Sequence, residues 1–146
     1  MPRNMQDAIK KHFKDADPTQ DPDYQAAVHA YQKRHIYKLE LQLEDLMQAY
    51  TEHAKDCTVF KVMLGPKTFH VIRNLKDWDI TGILPSITQP TLVINGWYYM
   101  AGDAVVAPFF ENILKVKWVH CSESSHMPFM EEPEWYFHVV GQFLSA

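Results

Sequence analysis

The chain has 146 residues, of which 47% are apolar and 22% charged. That is enough apolar chain for one domain with a packed core, and it excludes a disordered polymer. A net charge of −4, with no basic stripe interleaved with aromatics, excludes nucleic acid as a partner; the Lys10-Lys11 and Lys33-Arg34 pairs suit solvated helix faces.

Residues 1–72 read as helices and loops. Met5, Ala8, Ile9 and Phe13 recur near a helical period, predicting a helix over 5–15. The polar run from Asp15 to Pro22 contains two prolines and predicts a loop. A second helix is expected from about Asp23 to His35. A third fits Leu41 to His53, with Leu43, Leu46, Met47 and Tyr50 on one face. Gly65-Pro66 marks a turn.

From about Asn74 the pattern changes. Thr91-Leu-Val-Ile-Asn95 follows Pro90 and suits a strand buried on both faces. Gly96 and Gly102 bracket a loop. Asp103 is a candidate N-cap for a helix over 104–112. Val116–Cys121 reads as a second strand. A serine-rich loop follows, and Pro133 suits the first turn of a last helix ending near Leu144. Strand, helix, strand, loop and helix in that order predict a parallel βαβ unit of an α/β fold.

Met1-Pro2-Arg3 leads into polar residues, not an apolar h-region, so no targeting segment is expected. No apolar run is long enough to span a bilayer, and no membrane partner is expected. Cys57 and Cys121 are too few for a disulfide framework. Free thiols in a reducing compartment predict a cytoplasmic protein.

His126 is the strongest single candidate for chemistry. It lies in a loop just past a predicted strand, where an imidazole can reach a cleft at the strand's C-terminal end. A nucleophile is not evident. None of the five glycines forms a G-x-S-x-G elbow with a serine, and no His-Gly-Gly stretch supplies oxyanion donors. Ser122, Ser124 and Ser125 stand too close to His126 to replace that geometry and read as turn residues. His120, Cys121, Glu123 and His126 are metal-ligand types in a short span. They lack the two paired blocks of a structural zinc site, so neither metal nor cofactor is expected. The aromatics Trp97, Tyr98, Phe109, Phe110, Trp118, Phe129, Trp135, Tyr136 and Phe137 could line a pocket, but most are expected to pack a core.

An ordered set of short motifs adds a resemblance. Asn74-Leu-Lys-Asp-Trp-Asp-Ile80, Leu84-Pro-Ser-Ile87, Pro90-Thr-Leu-Val-Ile-Asn-Gly96, Ser124-Ser-His-Met-Pro128 and Glu132-Pro-Glu134 follow one another at matching spacings. Together they resemble the C-terminal part of proline iminopeptidase-like serine peptidases of the α/β-hydrolase superfamily. Arg34-His35 and Gly65-Pro66 resemble that family's helical cap. The resemblance implies a helical cap over 1–72 and the C-terminal part of the catalytic domain over 73–146. It implies a partial α/β-hydrolase fold, the cap followed by a βαβα remnant of the parallel sheet.

The resemblance also assigns His126 to the triad histidine, which moves a proton between nucleophile and leaving amine. The family pattern after the preceding strand is Gly-x-Tyr-Asp-Glu. Here Gly96-Trp97-Tyr98 leads to Tyr99 and Met100, so the acid position holds a phenol. Losing that acid costs about 10⁴ in kcat in a Ser-His-Asp enzyme. Asp103, four residues on, is the alternative acid to be tested against its role as a helix cap. The family's ammonium-binding glutamates are replaced by Thr68 and Met100, and Lys67 adds a repelling charge.

The resemblance thus implies serine-dependent release of N-terminal proline, or a similar residue, from peptides or small amides. The substitutions lead us to expect a truncated, inactive homologue. The alternatives are a non-catalytic interaction module and the C-terminal half of an active hydrolase whose nucleophile lies elsewhere. Expected partners are a peptide or small amide substrate if the chain is active, and self-association or a strand-donating partner at the open edge of residues 91–95.

Overall fold

A computed structural model describes residues 2–11, 21–39, 44–65 and 69–146. Residues 1, 12–20, 40–43 and 66–68 lie outside that set, and with them Phe13, Leu41, Leu43, Pro66, Lys67 and Thr68. Two compact units are present. One comprises Met1–Tyr31 and Glu40–Trp78, the other Gln32–Leu39 and Asp79–Ala146. The short stretch Gln32–Leu39 therefore counts with the C-terminal half of the chain.

The first unit is helical. α1 spans Arg3–Lys11, α2 begins at Pro22 and runs to His35, α3 spans Glu44–Lys55 and α4 spans Thr58–Met63. α2 starts one residue earlier than expected because Asp21 caps it. The Asp21 carboxylate accepts from the amides of Asp23 (2.8 Å) and Tyr24 (3.2 Å), and Pro22 takes the first helical position, where no amide is needed. Ile9, Tyr24 and Ala27 form the buried cluster, with Met5, Ala8, Val28 and Phe69 against it. Tyr31 meets Phe69 edge to face at 4.9 Å. On α3 the expected apolar face is only partly used: Leu46 is buried, but Met47 and Tyr50 are exposed. α4 was not anticipated. Its six residues are too few for a helical period to register, and an Asp56 carboxylate on the Thr58 amide (2.9 Å) opens it. Gly65 has φ +111°, which accounts for glycine at that turn.

The second unit holds the sheet. A 3₁₀ helix spans Thr81–Ser86, β1 Thr91–Gly96, α5 Asp103–Asn112, β2 Val116–Cys121, α6 Pro128–Glu131 and α7 Pro133–Leu144. Asp79 opens the 3₁₀ helix by accepting from the Thr81 amide (2.8 Å) and hydroxyl (2.7 Å). β1 and β2 pair in parallel, Thr91 opposite Val116 through Gly96 opposite Cys121. They are joined by α5, the connection a parallel pair requires. α5 packs on the 3₁₀ helix, β1 and β2. Leu84, Val106, Ile113, Cys121 and Val139 are the buried apolar residues of this unit besides Tyr37. Among the described residues the sheet has these two strands and no more. The partial α/β fold expected from the sequence is what the second unit shows.

Two strands cannot cover the apolar side chains supplied for them. Trp97, Phe110, Phe129, Trp135 and Phe137 are all exposed, so the expectation that most of the aromatics pack a core is corrected. Among the described residues no helix is long and apolar enough to cross a membrane.

Candidate active site

The site lies at the C-terminal ends of β1 and β2, where two loops are sewn together by backbone bonds. Trp97 N donates to Cys121 O (2.9 Å), and Tyr98 N to Ser124 O (3.0 Å). Gly96 makes this possible. A Cβ there would collide with the carbonyl oxygens of Ser124 and Ser125, so only glycine lets the loops meet.

Tyr99 and His126 face each other across this seam. Their rings stack with centroids 5.1 Å apart and planes 12° from parallel. His126 is exposed and Met100 beside Tyr99 is exposed as well. Among the described residues no carboxylate is hydrogen-bonded or ion-paired to His126. Asp103 turns to His120, whose Nε2 lies 2.9 Å from its Oδ1, and to Asn95 Nδ2 at 3.4 Å. The His120 hydrogen bond is the main reason its carboxyl sits below the usual 3.8. The N-cap expectation for Asp103 is corrected as well. Gly102 is the N-cap and Asp103 the first residue of α5, with its side chain drawn away from the helix amides by His120.

Ser124 and Ser125 depart from the expectation of simple turn residues. Ser124 and Ser125 are 0% exposed. Their hydroxyls donate to carboxylates from the α6–α7 segment, Ser124 to Glu132 and Ser125 to Glu131 (2.8 Å). Glu131 also accepts from the Ser125 amide (2.7 Å) and the Lys38 amide (2.7 Å); Glu132 accepts from the Glu123 amide (3.0 Å). A charged acceptor meeting several buried donors fixes the loop firmly, because leaving any donor unpaired costs free energy. The sequence signal was present in the serine pair followed by the Glu131-Glu132 pair. Sequence order alone does not show that the α6–α7 segment folds back over the serine loop.

The end of α2 adds a second clamp. His35 Nδ1 bonds Tyr98 O at 2.6 Å, and Lys38 Nζ sits 3.5 Å above the Tyr98 ring and 2.8 Å from Glu123 O. Tyr37 is buried beside this network; burial first, then the charge of Glu131, push its phenol pKa up.

The candidate metal ligands are directed to different places. His120 is paired with Asp103, Cys121 is buried with its thiol pushed up to about 11 by burial and then by Glu132, and His126 stacks on Tyr99. Among the described residues no three such groups converge.

A cavity of about 540 Å³ opens beside the stacked pair. Tyr99, Ser125 and His126 line it together with Leu92 and Ile94 of β1 and Val140 of α7.

A parallel strand–helix–strand unit with a histidine loop after the last strand is the closing part of an α/β-hydrolase. No family model matches the chain. It is 31% identical over 146 residues to a proline iminopeptidase of Heyndrickxia coagulans, covering 100% of this chain and 50% of that protein. It is 31% identical over 136 residues to a proline iminopeptidase of Saccharolobus solfataricus, covering 93% of this chain and 44% of the relative. The crystal structure of VinJ matches 99% of this chain and 49% of its own, with a TM-score of 0.89 and 34% identity. That of the Mycobacterium smegmatis proline iminopeptidase matches 99% and 48%, with a TM-score of 0.88 and 30% identity. The chain is therefore homologous to proline iminopeptidase-like α/β-hydrolases and spans about half the length of the curated relatives it matches.

Proposed function

We propose that these 146 residues form the histidine-bearing half of a proline iminopeptidase-like hydrolase and do not hydrolyse peptides or amides by themselves. The observation that carries this is the Tyr99–His126 stack. In the family, His126's position moves a proton between a serine nucleophile and the leaving amine, and the acid at position 99 steadies the imidazolium. Here an aromatic face meets that imidazole, and the alternative acid, Asp103, is committed to His120.

His126 itself remains well positioned. Glu131, Glu132 and Lys38 hold its loop, and the imidazole is open to the cavity. The family activity is serine-dependent release of an N-terminal proline or a similar residue. Met100 lacks the carboxylate that would pair with a substrate ammonium, which further supports the reading. Assay of the purified chain with prolyl-arylamide and aminoacyl-ester substrates tests it, and hydrolysis no faster than buffer is expected.

A further inference from the structure

Residues 97–102 form the loop from β1 to α5 and carry Tyr99. One side chain outside this loop touches both of its ends. His120 is the register partner of Asn95, so it stands on β2 beside the point where the loop begins. Its Nε2 donates to Oδ1 of Asp103, just past the far end (2.9 Å), and its ring meets that of Trp97, at the near end, edge to face at 6.4 Å. Trp118 backs the imidazole, with ring centroids 4.8 Å apart and a 40° tilt. Asn95, only 4% exposed, ties the same groups together. Its Oδ1 accepts from Trp118 Nε1 (2.6 Å), and its Nδ2 donates to Asp103 Oδ1 (3.4 Å). A buried amide with donor and acceptor both engaged keeps one orientation, because releasing either group costs free energy.

The loop has little else to hold it beyond Tyr98. Tyr98 itself is gripped by His35 and Lys38. Past it, Tyr99, Met100 and Ala101 make among the described residues a single backbone hydrogen bond, Tyr99 N to Gly96 O (3.0 Å). The next side-chain tether is Asp103. Tyr99 lies between these supports and stacks on His126. We infer that His120 is a positioning residue: by joining Trp97 to Asp103 it closes the loop, keeps the Tyr99 ring against His126 and so fixes the plane of the imidazole that lines the cavity. His120 is not among the residues lining that cavity, so it acts through Tyr99. Its bearing on function rests on the proposed role of His126, whereas the tether rests on geometry.

The test reads the His126 ring by NMR in the 146-residue chain. In His120→Ala the His126 ring protons should move toward the positions they take in Tyr99→Leu. Amide exchange at Tyr99 should quicken about fivefold, the share of one hydrogen bond. Asp103→Ala, at a side chain 54% exposed, should do the same, and the double variant should add little, since both changes remove one tether. His120→Gln, whose amide can still donate to Asp103, should restore the native shifts. Native His126 shifts in both alanine variants, with only a lower melting temperature, would make the pair a structural contact and overturn the inference. A His120→Gln variant that behaves as His120→Ala would overturn it too. An intact α7 amide spectrum certifies the fold of each variant, and Asp103→Ala decides the matter if His120→Ala does not fold. Hydrolysis by the unaltered chain would overturn the functional reading and leave the tether standing.

Discussion

Tyr99 lies flat against His126, with ring centroids 5.1 Å apart and planes 12° from parallel. Under the role proposed for His126, the stack puts a π face where a carboxylate would otherwise steady the imidazolium. It also predicts a spectroscopic signature. In the native chain the His126 ring protons should be shifted upfield by the phenol ring. Tyr99→Leu should return them toward random-coil positions while leaving the amide spectrum of α7 intact. Unchanged His126 proton shifts in that variant would show that the rings do not stack in solution.

Glu131 should matter more for stability than its place in a four-residue helix suggests. It accepts from the Ser125 amide and hydroxyl and from the Lys38 amide. Glu131→Ala leaves Ser125 buried without its acceptor and should cost about 1–3 kcal/mol in urea unfolding. Glu131→Gln keeps an acceptor oxygen and should cost about half as much. Equal midpoints for wild type and Glu131→Ala would remove the residue from the loop's support.

Two glycines should respond in opposite directions. Gly96→Ala drives a Cβ into the backbone carbonyls of Ser124 and Ser125, which cannot yield as a flexible side chain can. A loss of at least about 2 kcal/mol is expected, the upper range for overpacking. Gly141 lies inside α7 with nothing near its would-be Cβ, so Gly141→Ala should stabilise by about 0.5–1 kcal/mol. Thermal melts of both variants check the contrast, and a destabilised Gly141→Ala would contradict it.

Asp103 supplies a pH dependence with a defined sign. Its folded carboxyl is held below 3.8, first by the His120 hydrogen bond and less by Asn95. A depressed carboxyl pKa stabilises the fold at pH above the unfolded value and loses that contribution as pH falls through the folded one. Asp103→Asn should therefore be less stable than wild type above about pH 4 and converge with it at lower pH. A gap that widens on acidification would reverse the assignment.

The two strands and the last helix were legible because their signals are local. A β-branched run after Pro90 and a Pro133 start carry their own boundaries, and the observed spans differ from the expected ones by a residue at most. The meeting of Tyr99 and His126 follows from the parallel pairing of the two strands, whose following loops leave the same end of the sheet. What escaped was set by tertiary partners. Ser124 and Ser125 look like turn residues until Glu131 and Glu132 return to cover them. Asp103 looks like a cap until β2 brings His120 within 2.9 Å of it. The exposed aromatics depart from expectation because a sequence shows their number, while the extent of the sheet decides how many can be buried.

The most direct measurement is the turnover of prolyl-arylamide by the purified 146-residue chain, run beside His126→Ala and with a serine-directed phosphonate. Removing the nucleophile alone costs about 10⁶ in kcat in a triad enzyme, so background hydrolysis, identical in both proteins and indifferent to the phosphonate, is expected. Turnover that His126→Ala abolishes and the phosphonate blocks would contradict the account, because a working serine–histidine pair would then exist within these residues.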